Sequence, residues 1–291
     1  MCDEKTEADN EAWRRRRGLT RRQFNTVVTG AALAALLPVT AFAAETTESE
    51  VTIPTQDGNA DAYFVRPATG SHAAVIIWPD VMGIRPAFRM MGKRLAEAGY
   101  AVLVVNPYYR TAKGEVLAPG ESYADPAVRE RLAPHRNSLS VATCLSDGRA
   151  FVSWLDEQSS VDSSRMVGIA GYCMTGSYAI RLAAVIPERI GAGASFHGGG
   201  LVTQAEDSPH RLAPRIKAGL LIAIAENDDE KEPEAKTALR EAFDSAGVNA
   251  EIEVYADTLH GWCPLDSRVY NEAQAEKAWA RMLVLFEREL A

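Results

Sequence analysis

The chain has 291 residues, of which 47% are hydrophobic and 24% are charged, and its formal net charge is −8 at pH 7. This length suits one large domain or two small ones, and the composition excludes a disordered chain, a collagen-like repeat and a disulfide-dense miniprotein. Because the chain is acidic overall, it lacks the basic surface that a nucleic-acid partner requires.

The first 43 residues have the layout of an export signal. A run of arginines that ends in Arg21–Arg22 precedes an apolar stretch over residues 27–37, and Ala41-Phe42-Ala43 fits a small-residue cleavage site. The paired arginines and the following Phe24 resemble the twin-arginine signal. The apolar stretch has 11 residues, whereas a membrane helix needs about 20. We predict a cleaved twin-arginine-type signal peptide over residues 1–43 and a periplasmic or otherwise exported protein, with a membrane anchor as the alternative.

Removal of the signal would make the chain more acidic and leave an odd number of cysteines. The signal carries seven Lys or Arg and five Asp or Glu, so the remaining chain would have a net charge of −10. Such a chain has no electrostatic reason to bind anionic lipid or DNA, and we expect no membrane association after cleavage. At least one of the three remaining cysteines must be unpaired. These cysteines are Cys144, Cys173 and Cys263.

A polar linker over residues 44–50 leads into a single predicted domain over residues 51–291. The domain begins with a hairpin, whose strands we place at 51–53 and 60–65 on either side of a turn cluster. Apolar runs of strand length without alternation follow, which is typical of strands buried on both faces of a parallel sheet. These strands are predicted at 73–78, 100–105, 166–170, 192–196, 220–225 and 251–255.

Helical patterns, with apolar residues spaced by three or four, lie between the predicted strands. The alternation predicts an α/β fold, a doubly wound and mostly parallel sheet with helices on both faces. Residues 111–136 hold three prolines and two glycines and are predicted to be an irregular insertion over one face. The helices are placed at 87–98, 139–155, 174–185, 234–246 and 271–290.

The segment Gly171-Tyr172-Cys173-Met174-Thr175-Gly176 follows a predicted buried strand and begins a helix. This is the layout of a nucleophile elbow, a strained strand-to-helix turn that needs small neighbours. At a helix N-terminus the dipole favours a thiolate, and the next backbone N–H, that of Met174, can bind an oxyanion. Thr175 stands where the usual pattern has glycine. A buried cysteine in a tight packing turn is the alternative interpretation.

Two further side chains complete the order nucleophile, acid, histidine along the chain. Asp228 follows the predicted strand at 220–225 and is the candidate acid, with the neighbouring Asp229 as the alternative. His260 follows the last predicted strand and is the candidate base. His197, with three glycines after it, follows the nucleophile, and we interpret it as part of a structural turn.

The segment Gly171-Tyr172-Cys173, the Asp228 loop and the segment His260-Gly261-Trp262 resemble the dienelactone hydrolase family, from about residue 51 to the end. The resemblance implies an α/β-hydrolase fold that acts on an ester or lactone. It implies that Cys173 is the nucleophile, that Asp228 orients His260, and that His260 acts as base and acid. No metal and no organic cofactor are implied.

The resemblance also assigns residues around the thiol. A carboxylate after the first core strand contacts the resting thiol in this family, and Asp80 takes that place, although the family usually has Glu. By the same resemblance Val81 lends a second oxyanion N–H beside that of Met174. We expect Asp80 to oppose ionisation of Cys173, because a second negative charge nearby disfavours the thiolate.

Three residues are expected to bind the substrate. An arginine after the next strand helps to hold a substrate carboxylate in the family, and Arg110 matches it. Tyr109 and Trp262 also follow predicted strand ends, where ligands of open α/β sheets bind. We therefore expect all three to converge around Cys173 and to favour an anionic substrate. The expected partner is a small-molecule ester or lactone, and a monomer is favoured.

Other functions could use the same fold. Acyl transfer to another acceptor would use the same residues as hydrolysis through a thioester. A non-catalytic binding module is a second alternative, which Thr175 and the short Asp80 favour, since a fold alone does not show function. A redox-active thiol pair of Cys173 and Cys263 is a third.

Overall fold

The computed structural model describes residues 5–16, 44–118 and 120–291. Eight strands in these ranges form one mixed sheet. They are β1 (Thr46–Thr55), β2 (Gly58–Pro67), β3 (Ala74–Trp78), β4 (Ala101–Val105), β5 (Val167–Tyr172), β6 (Ile190–Phe196), β7 (Gly219–Ala225) and β8 (Ala250–Tyr255).

The strand order across the sheet is β1-β2-β4-β3-β5-β6-β7-β8. β1 pairs with β2 and β2 with β4 in the antiparallel sense, whereas the pairs from β4 to β8 are all parallel. The predicted hairpin lies at one edge, and its strands are longer than predicted because pairing continues to Thr55 and Gly58 at the turn. The mostly parallel sheet predicted from the apolar runs is confirmed.

Eight α-helices are present in the described ranges. They are α1 (Thr6–Arg16), α2 (Pro86–Glu97), α3 (Pro126–Asn137), α4 (Val141–Asp156), α5 (Gly176–Val185), α6 (Glu226–Lys231), α7 (Ala235–Ala246) and α8 (Glu272–Glu289).

Helices cover both faces of the sheet, as the alternation of elements predicts. Phe151 of α4 and Phe243 of α7 are fully buried in the core of one face. Phe88 of α2 and Phe286 of α8 are fully buried in the core of the other. The strands between them are apolar on both sides for this reason, and the doubly wound α/β fold is confirmed.

The predicted irregular insertion at 111–136 is wrong in its C-terminal part, where α3 forms. The Asp125 side chain caps this helix by accepting the backbone N–H of Ala127, and Pro126 occupies the first turn. Only Val128 and Leu132 of α3 are buried. An apolar face of two residues is too narrow to give a clear helical period in the sequence.

Two further helices differ from prediction. α6 occupies residues that we expected to be a loop, and α1 lies within the predicted signal peptide. The rest of that signal, residues 1–4 and 17–43, lies outside the described residues. Within the ranges that the structure describes, no helix is long and apolar enough to cross a membrane.

The carboxyl ends of the parallel strands lie side by side at one edge of the sheet. The register pairs Trp78 at the end of β3 with Gly171 near the end of β5, and Ala225 at the end of β7 with Tyr255 at the end of β8. Residues that follow these strand ends therefore meet at one edge, which is where open α/β sheets bind ligands.

Candidate active site

Cys173 lies in a strained turn directly after β5. Its backbone has a φ of 58°, a left-handed conformation that residues with a side chain rarely adopt. A Cβ atom on Gly171 would come within 2.2 Å of the Thr175 carbonyl oxygen. This close approach explains why glycine is needed two residues before the cysteine, as the elbow pattern predicts.

Thr175 replaces the usual elbow glycine and anchors the turn. Its Oγ1 accepts the backbone N–H of Tyr172 at 3.0 Å. The same hydroxyl lies 2.8 Å from the Trp78 carbonyl, 2.9 Å from the Tyr172 carbonyl and 3.0 Å from the Pro79 carbonyl, and it can donate its single proton to one of the three. Thr175 is fully buried, so this side chain ties the elbow to the end of β3. The departure from the pattern therefore has a structural reason.

The imidazole of His260 lies between the thiol and a carboxylate. His260 Nε2 is 3.2 Å from Cys173 Sγ, and His260 Nδ1 is 2.7 Å from Asp228 Oδ2. Cys173 and His260 are both buried, at 2% and 7% exposure. A nucleophile, a base and an orienting group within hydrogen-bond reach of one another form an arrangement that can generate a thiolate.

The structure distinguishes the two carboxylates that the sequence left open. Asp228 is the one that contacts His260. Both Asp229 oxygens lie 2.7 Å from Lys236 Nζ instead. The difference arises because these residues lie in α6, where neighbours along the chain project in different directions.

The loop that carries His260 is held by buried amide side chains. Asn227 Oδ1 accepts the backbone N–H of His260 at 2.8 Å. Asn227 Nδ2 donates to Asn10 Oδ1 at 2.7 Å, and Asn10 Nδ2 donates to the His260 carbonyl at 3.2 Å. Neither asparagine belongs to a recognisable motif, so neither could be identified from the sequence.

His197 contributes to the site, which corrects its interpretation as a purely structural turn. Its ring packs edge-on against that of His260, with the centroids 5.0 Å apart, and the residue also lines the cavity above Cys173. Neither ring nitrogen hydrogen-bonds a residue of the described ranges. Burial, and then the nearby His260, lower the pKa of His197 well below its usual value, so the ring is neutral. Its place directly after β6 was the signal that could have identified it.

Asp80 is paired with a buried arginine. Arg85 Nη1 and Nη2 donate to the two Asp80 oxygens at 2.7 and 2.9 Å. Arg85 also binds Asp266 through Nε and Nη2, at 2.6 and 3.0 Å. Burial lowers the pKa of Arg85, but the two carboxylates raise it above its usual value, so the guanidinium stays charged. Because this charge compensates that of Asp80, the expected effect of Asp80 on the thiol is reduced.

Arg110 and Tyr109 lie away from the predicted position around Cys173. The Arg110 guanidinium binds both Asp147 oxygens at 2.7 Å and Asp57 Oδ2 at 2.6 Å. The Tyr109 hydroxyl donates to Asp147 Oδ1 at 2.8 Å. Neither residue is among the described residues that line the cavity. Because the Arg110 charge is already paired with two carboxylates, this position gives no support for the expected preference for anionic substrates.

Trp262 is also corrected as a substrate contact. Its side chain is 0% exposed and stacks on Tyr255, with ring centroids 4.8 Å apart. It is likewise not among the described residues that line the cavity. Trp262 instead packs behind the His260 loop, where it adjoins the edge of the His197 ring at 6.4 Å between centroids.

Two backbone segments near the thiol are candidates for oxyanion binding. Val81 lines the same cavity as Cys173, and its N–H makes no hydrogen bond within the described ranges. The Tyr108 hydroxyl donates to the Val81 carbonyl at 2.8 Å and thereby fixes this segment. Met174 is the second residue of the turn that begins at Cys173, and the first N–H groups of a helix lack intrahelical partners.

A cavity of about 670 Å³ opens above the thiol. Cys173, His197 and His260 are among the residues that line it. Its described lining holds more acidic than basic side chains. The acidic ones are Glu7, Asp80, Glu115, Glu121 and Asp266, and the basic ones are Arg85 and Arg268.

The described residues contain no group of three or more side chains that could hold a metal ion. No disulfide joins Cys173 to Cys263. Cys263 lines a different cavity, and burial raises the pKa of its thiol well above the usual value. A reactive thiol pair of these two residues therefore has no support in the geometry.

Residues 60–290 match the sequence profile of the dienelactone hydrolase family. A Synechocystis protein provisionally named carboxymethylenebutenolidase is 29% identical over 82% of this chain and 96% of its own length. Carboxymethylenebutenolidase of Rhodococcus opacus is 25% identical, over 76% of this chain and 83% of its own. A crystal structure from Klebsiella pneumoniae, provisionally titled a dienelactone hydrolase, superposes with a TM-score of 0.72 at 26% identity, and covers 84% of this chain and 99% of that one.

Proposed function

The chain belongs to the dienelactone hydrolase family and is an ester or lactone hydrolase of that type, and we propose that it acts through Cys173, His260 and Asp228. The observation that carries this proposal is the line of contacts from Cys173 Sγ to His260 Nε2 and from His260 Nδ1 to Asp228 Oδ2. Nucleophilic catalysis requires a base within hydrogen-bond reach of the nucleophile and a third group that orients the base.

The reaction has two halves. His260 Nε2 takes the proton of Cys173, and the thiolate attacks the carbonyl carbon while the carbonyl π electrons move to its oxygen. Collapse of this tetrahedral intermediate breaks the ester C–O bond, and His260 donates its proton to the departing alkoxide. A water then attacks the Cys173 thioester, gives a proton to His260, and releases the acid product and the thiol.

The developing oxyanion needs fixed donors. The N–H groups of Met174 and Val81 are the candidates, and the bond from the Tyr108 hydroxyl to the Val81 carbonyl supports a fixed position for the second segment. Loss of one such donor typically lowers kcat by about 10²- to 10³-fold. Asp228 keeps Nδ1 of His260 protonated, so that Nε2 is available as the base.

The charges of the cavity favour a neutral ester or lactone over a carboxylated one. Five carboxylates line it against two guanidinium groups. Arg85 is paired with Asp80 and Asp266, and Arg131 and Arg89, which are not in the lining, pair with Glu121 and Glu115, so the described lining has no excess of positive charge for a carboxylated substrate. We expect kcat/KM for a neutral p-nitrophenyl acyl ester to exceed that for its ω-carboxylated analogue. A preference for the carboxylated ester that disappears in Arg268→Gln would contradict this substrate class, because Arg268 would then be binding the substrate.

Kinetics of four variants of the full chain test the catalytic assignment. Cys173→Ala and His260→Asn should abolish hydrolysis of p-nitrophenyl esters and lactones, and Asp228→Asn should lower kcat by on the order of 100-fold or more. Asp229→Asn is the matched control and should change kcat by less than about threefold, because its partly exposed pair with Lys236 is worth about 1 kcal/mol or less.

Three outcomes would contradict the proposal. Full activity of Cys173→Ala would exclude thiol catalysis. Equal losses in Asp228→Asn and Asp229→Asn would show that the contact with His260 does not distinguish the two carboxylates. A wild-type chain that binds esters and lactones without cleaving any of them would favour the binding-module alternative.

A further inference from the structure

An N-terminal helix is docked beside the catalytic histidine. Trp13 of α1 is 1% exposed and shares a buried cluster with Leu259 and Val269. Leu259 directly precedes His260 in the chain. The helix therefore packs on the loop that holds the candidate base, although it lies about 250 residues earlier in the sequence.

The polar contacts of α1 are directed at the same loop. Asn10 accepts from the Asn227 amide and donates to the His260 carbonyl, while Asn227 accepts the His260 N–H. Both peptide groups of His260 are thus bound by buried side-chain amides. Removing Asn10 would leave the Asn227 amide and the His260 carbonyl without these partners in a buried site.

Charges match across the contact between α1 and α6. Arg16 of α1 lies 3.0 Å from Glu230 of α6, and Asp9 of α1 lies 3.0 Å from Lys231 of α6. α6 also carries Asp228. These exposed pairs contribute little energy, but their opposite polarity defines the orientation of the helix on α6.

The start of α1 reaches the cavity itself. Thr6 and Glu7 line the cavity that contains Cys173 and His260. Two residues of α1 therefore form part of the lining of this cavity.

We propose that α1 is a working part of the active site in the uncleaved chain, in which Asn10 positions His260 and the start of the helix restricts access to Cys173. This inference rests on the proposed role of His260 as the base. Since the predicted cleavage after Ala43 falls beyond α1, processing would remove Asn10, which binds the His260 carbonyl, together with the residues of α1 that line the cavity. The uncleaved and processed enzymes would then differ in reactivity and in the size of acyl group that they accept.

Alkylation of Cys173 in the full chain tests the proposal without any substrate. Peptide mass mapping measures the rate at which Cys173 is alkylated by iodoacetamide, a small reagent, and by fluorescein maleimide, a bulky one. Trp13→Ala should undock α1. The alkylation rate with fluorescein maleimide, divided by the rate with iodoacetamide, should then rise severalfold. Asn10→Leu, which keeps the side-chain volume but removes both hydrogen bonds, should move the midpoint of the alkylation pH profile upward by about half a pH unit, because a loosened His260 stabilises the thiolate less. Arg15→Gln on the exposed face of α1 is the control and should change neither value.

A double-mutant cycle in urea unfolding keeps the contact itself testable. The changes in the free energy of unfolding caused by Asn10→Leu and Asn227→Leu should be non-additive, because each substitution removes the hydrogen-bond partner of the other residue. An unchanged alkylation ratio in Trp13→Ala together with an unchanged pH profile in Asn10→Leu would overturn the proposal. Failure of Cys173→Ala to lose hydrolysis would instead overturn the proposed function, since the alkylation readouts do not depend on turnover.

Discussion

Cys173 can keep its left-handed backbone only because its surroundings hold it there. A non-glycine residue in this conformation costs about 1–3 kcal/mol, and the Thr175 hydroxyl supplies a restraint by linking the elbow to the end of β3. A glycine at 175, as in the usual pattern, would lack this link. The backbone conformation of Cys173 is therefore supported by a buried hydroxyl two residues further along the chain.

Thr175→Val tests this restraint, because valine keeps the shape of threonine and removes the hydroxyl. The buried Tyr172 N–H would lose its acceptor, and we expect a loss of about 1–3 kcal/mol in the free energy of unfolding. Urea unfolding measures the change, and Thr52→Val, on an exposed position of β1, is the matched control. A variant as stable as the wild type, with unchanged Cys173 alkylation, would show that the hydroxyl is not a restraint.

His197 gives the stability of the fold a specific pH dependence. Its pKa is lowered in the folded state, first by burial and then by His260, so the unfolded chain binds the proton more readily. The stabilisation from neutral His197 is therefore complete above its unfolded pKa of about 6.5 and is lost as the pH falls below it, by at most about 1.4 kcal/mol per pH unit.

The measurement compares wild type with His197→Phe, which keeps an aromatic ring against His260. Chemical denaturation from pH 8 to pH 5 should give a wild-type curve that falls more steeply below pH 6.5 than the variant curve. Titrating groups far from His197 contribute equally to both proteins and cancel in the difference. Parallel curves down to pH 5 would mean that His197 is not held neutral.

At the level of elements, Arg110 joins the segment after β4 to α4. The guanidinium is 13% exposed and its partner Asp147 is 1% exposed, so the pair is largely removed from water. Tyr109 adds a hydrogen bond to the same carboxylate. The residue that the sequence assigned to substrate binding therefore holds two elements together.

Arg110→Leu should lower the free energy of unfolding by about 3–5 kcal/mol, because it leaves Asp147 as a buried charge without its partner. It should change kcat/KM for neutral and carboxylated esters by the same factor. Arg110→Leu combined with Asp147→Leu should recover most of the stability, since neither charge then remains buried. A selective loss on the carboxylated ester would restore Arg110 as a substrate contact.

For the whole molecule, the sequence predicted the sheet and the order of the reactive residues but not the neighbours that support them. Cys173, Asp228 and His260 each follow an apolar run, and this local pattern predicts a shared sheet edge. The pattern gives no side-chain direction, so it could not show that Arg110 turns towards α4 or that Trp262 turns into the core. Asn10 and Asn227 meet only through the tertiary fold, and no local signal marks them.

The N-terminal segment shows the same limit. Its arginines, apolar stretch and small-residue cleavage site predict a signal peptide, and only Trp13 hints at a buried anchor. Helix α1 owes its burial to Leu259 and Val269, which lie far along the chain. Secondary structure that depends on such distant contacts is not visible to a reading of local periodicity.

The export prediction concerns the whole molecule and lies mostly outside the described residues. Replacing Arg21 and Arg22 by lysine should retain the protein in the cytoplasm, because the paired arginines are the distinctive part of the signal. Fractionation followed by immunoblotting measures the distribution. Unchanged export of this variant would show that another signal directs the chain.

The most direct test of thiol catalysis is the acylation state of Cys173 during turnover. The full chain is mixed with a neutral p-nitrophenyl ester and quenched with acid within milliseconds. The protein is then digested, and the peptide masses are measured by mass spectrometry. We predict an added acyl mass on the peptide that contains Cys173, its removal by hydroxylamine, and its absence in Cys173→Ala. Turnover without this adduct, or an acyl group on a different residue, would contradict a thioester mechanism at this site.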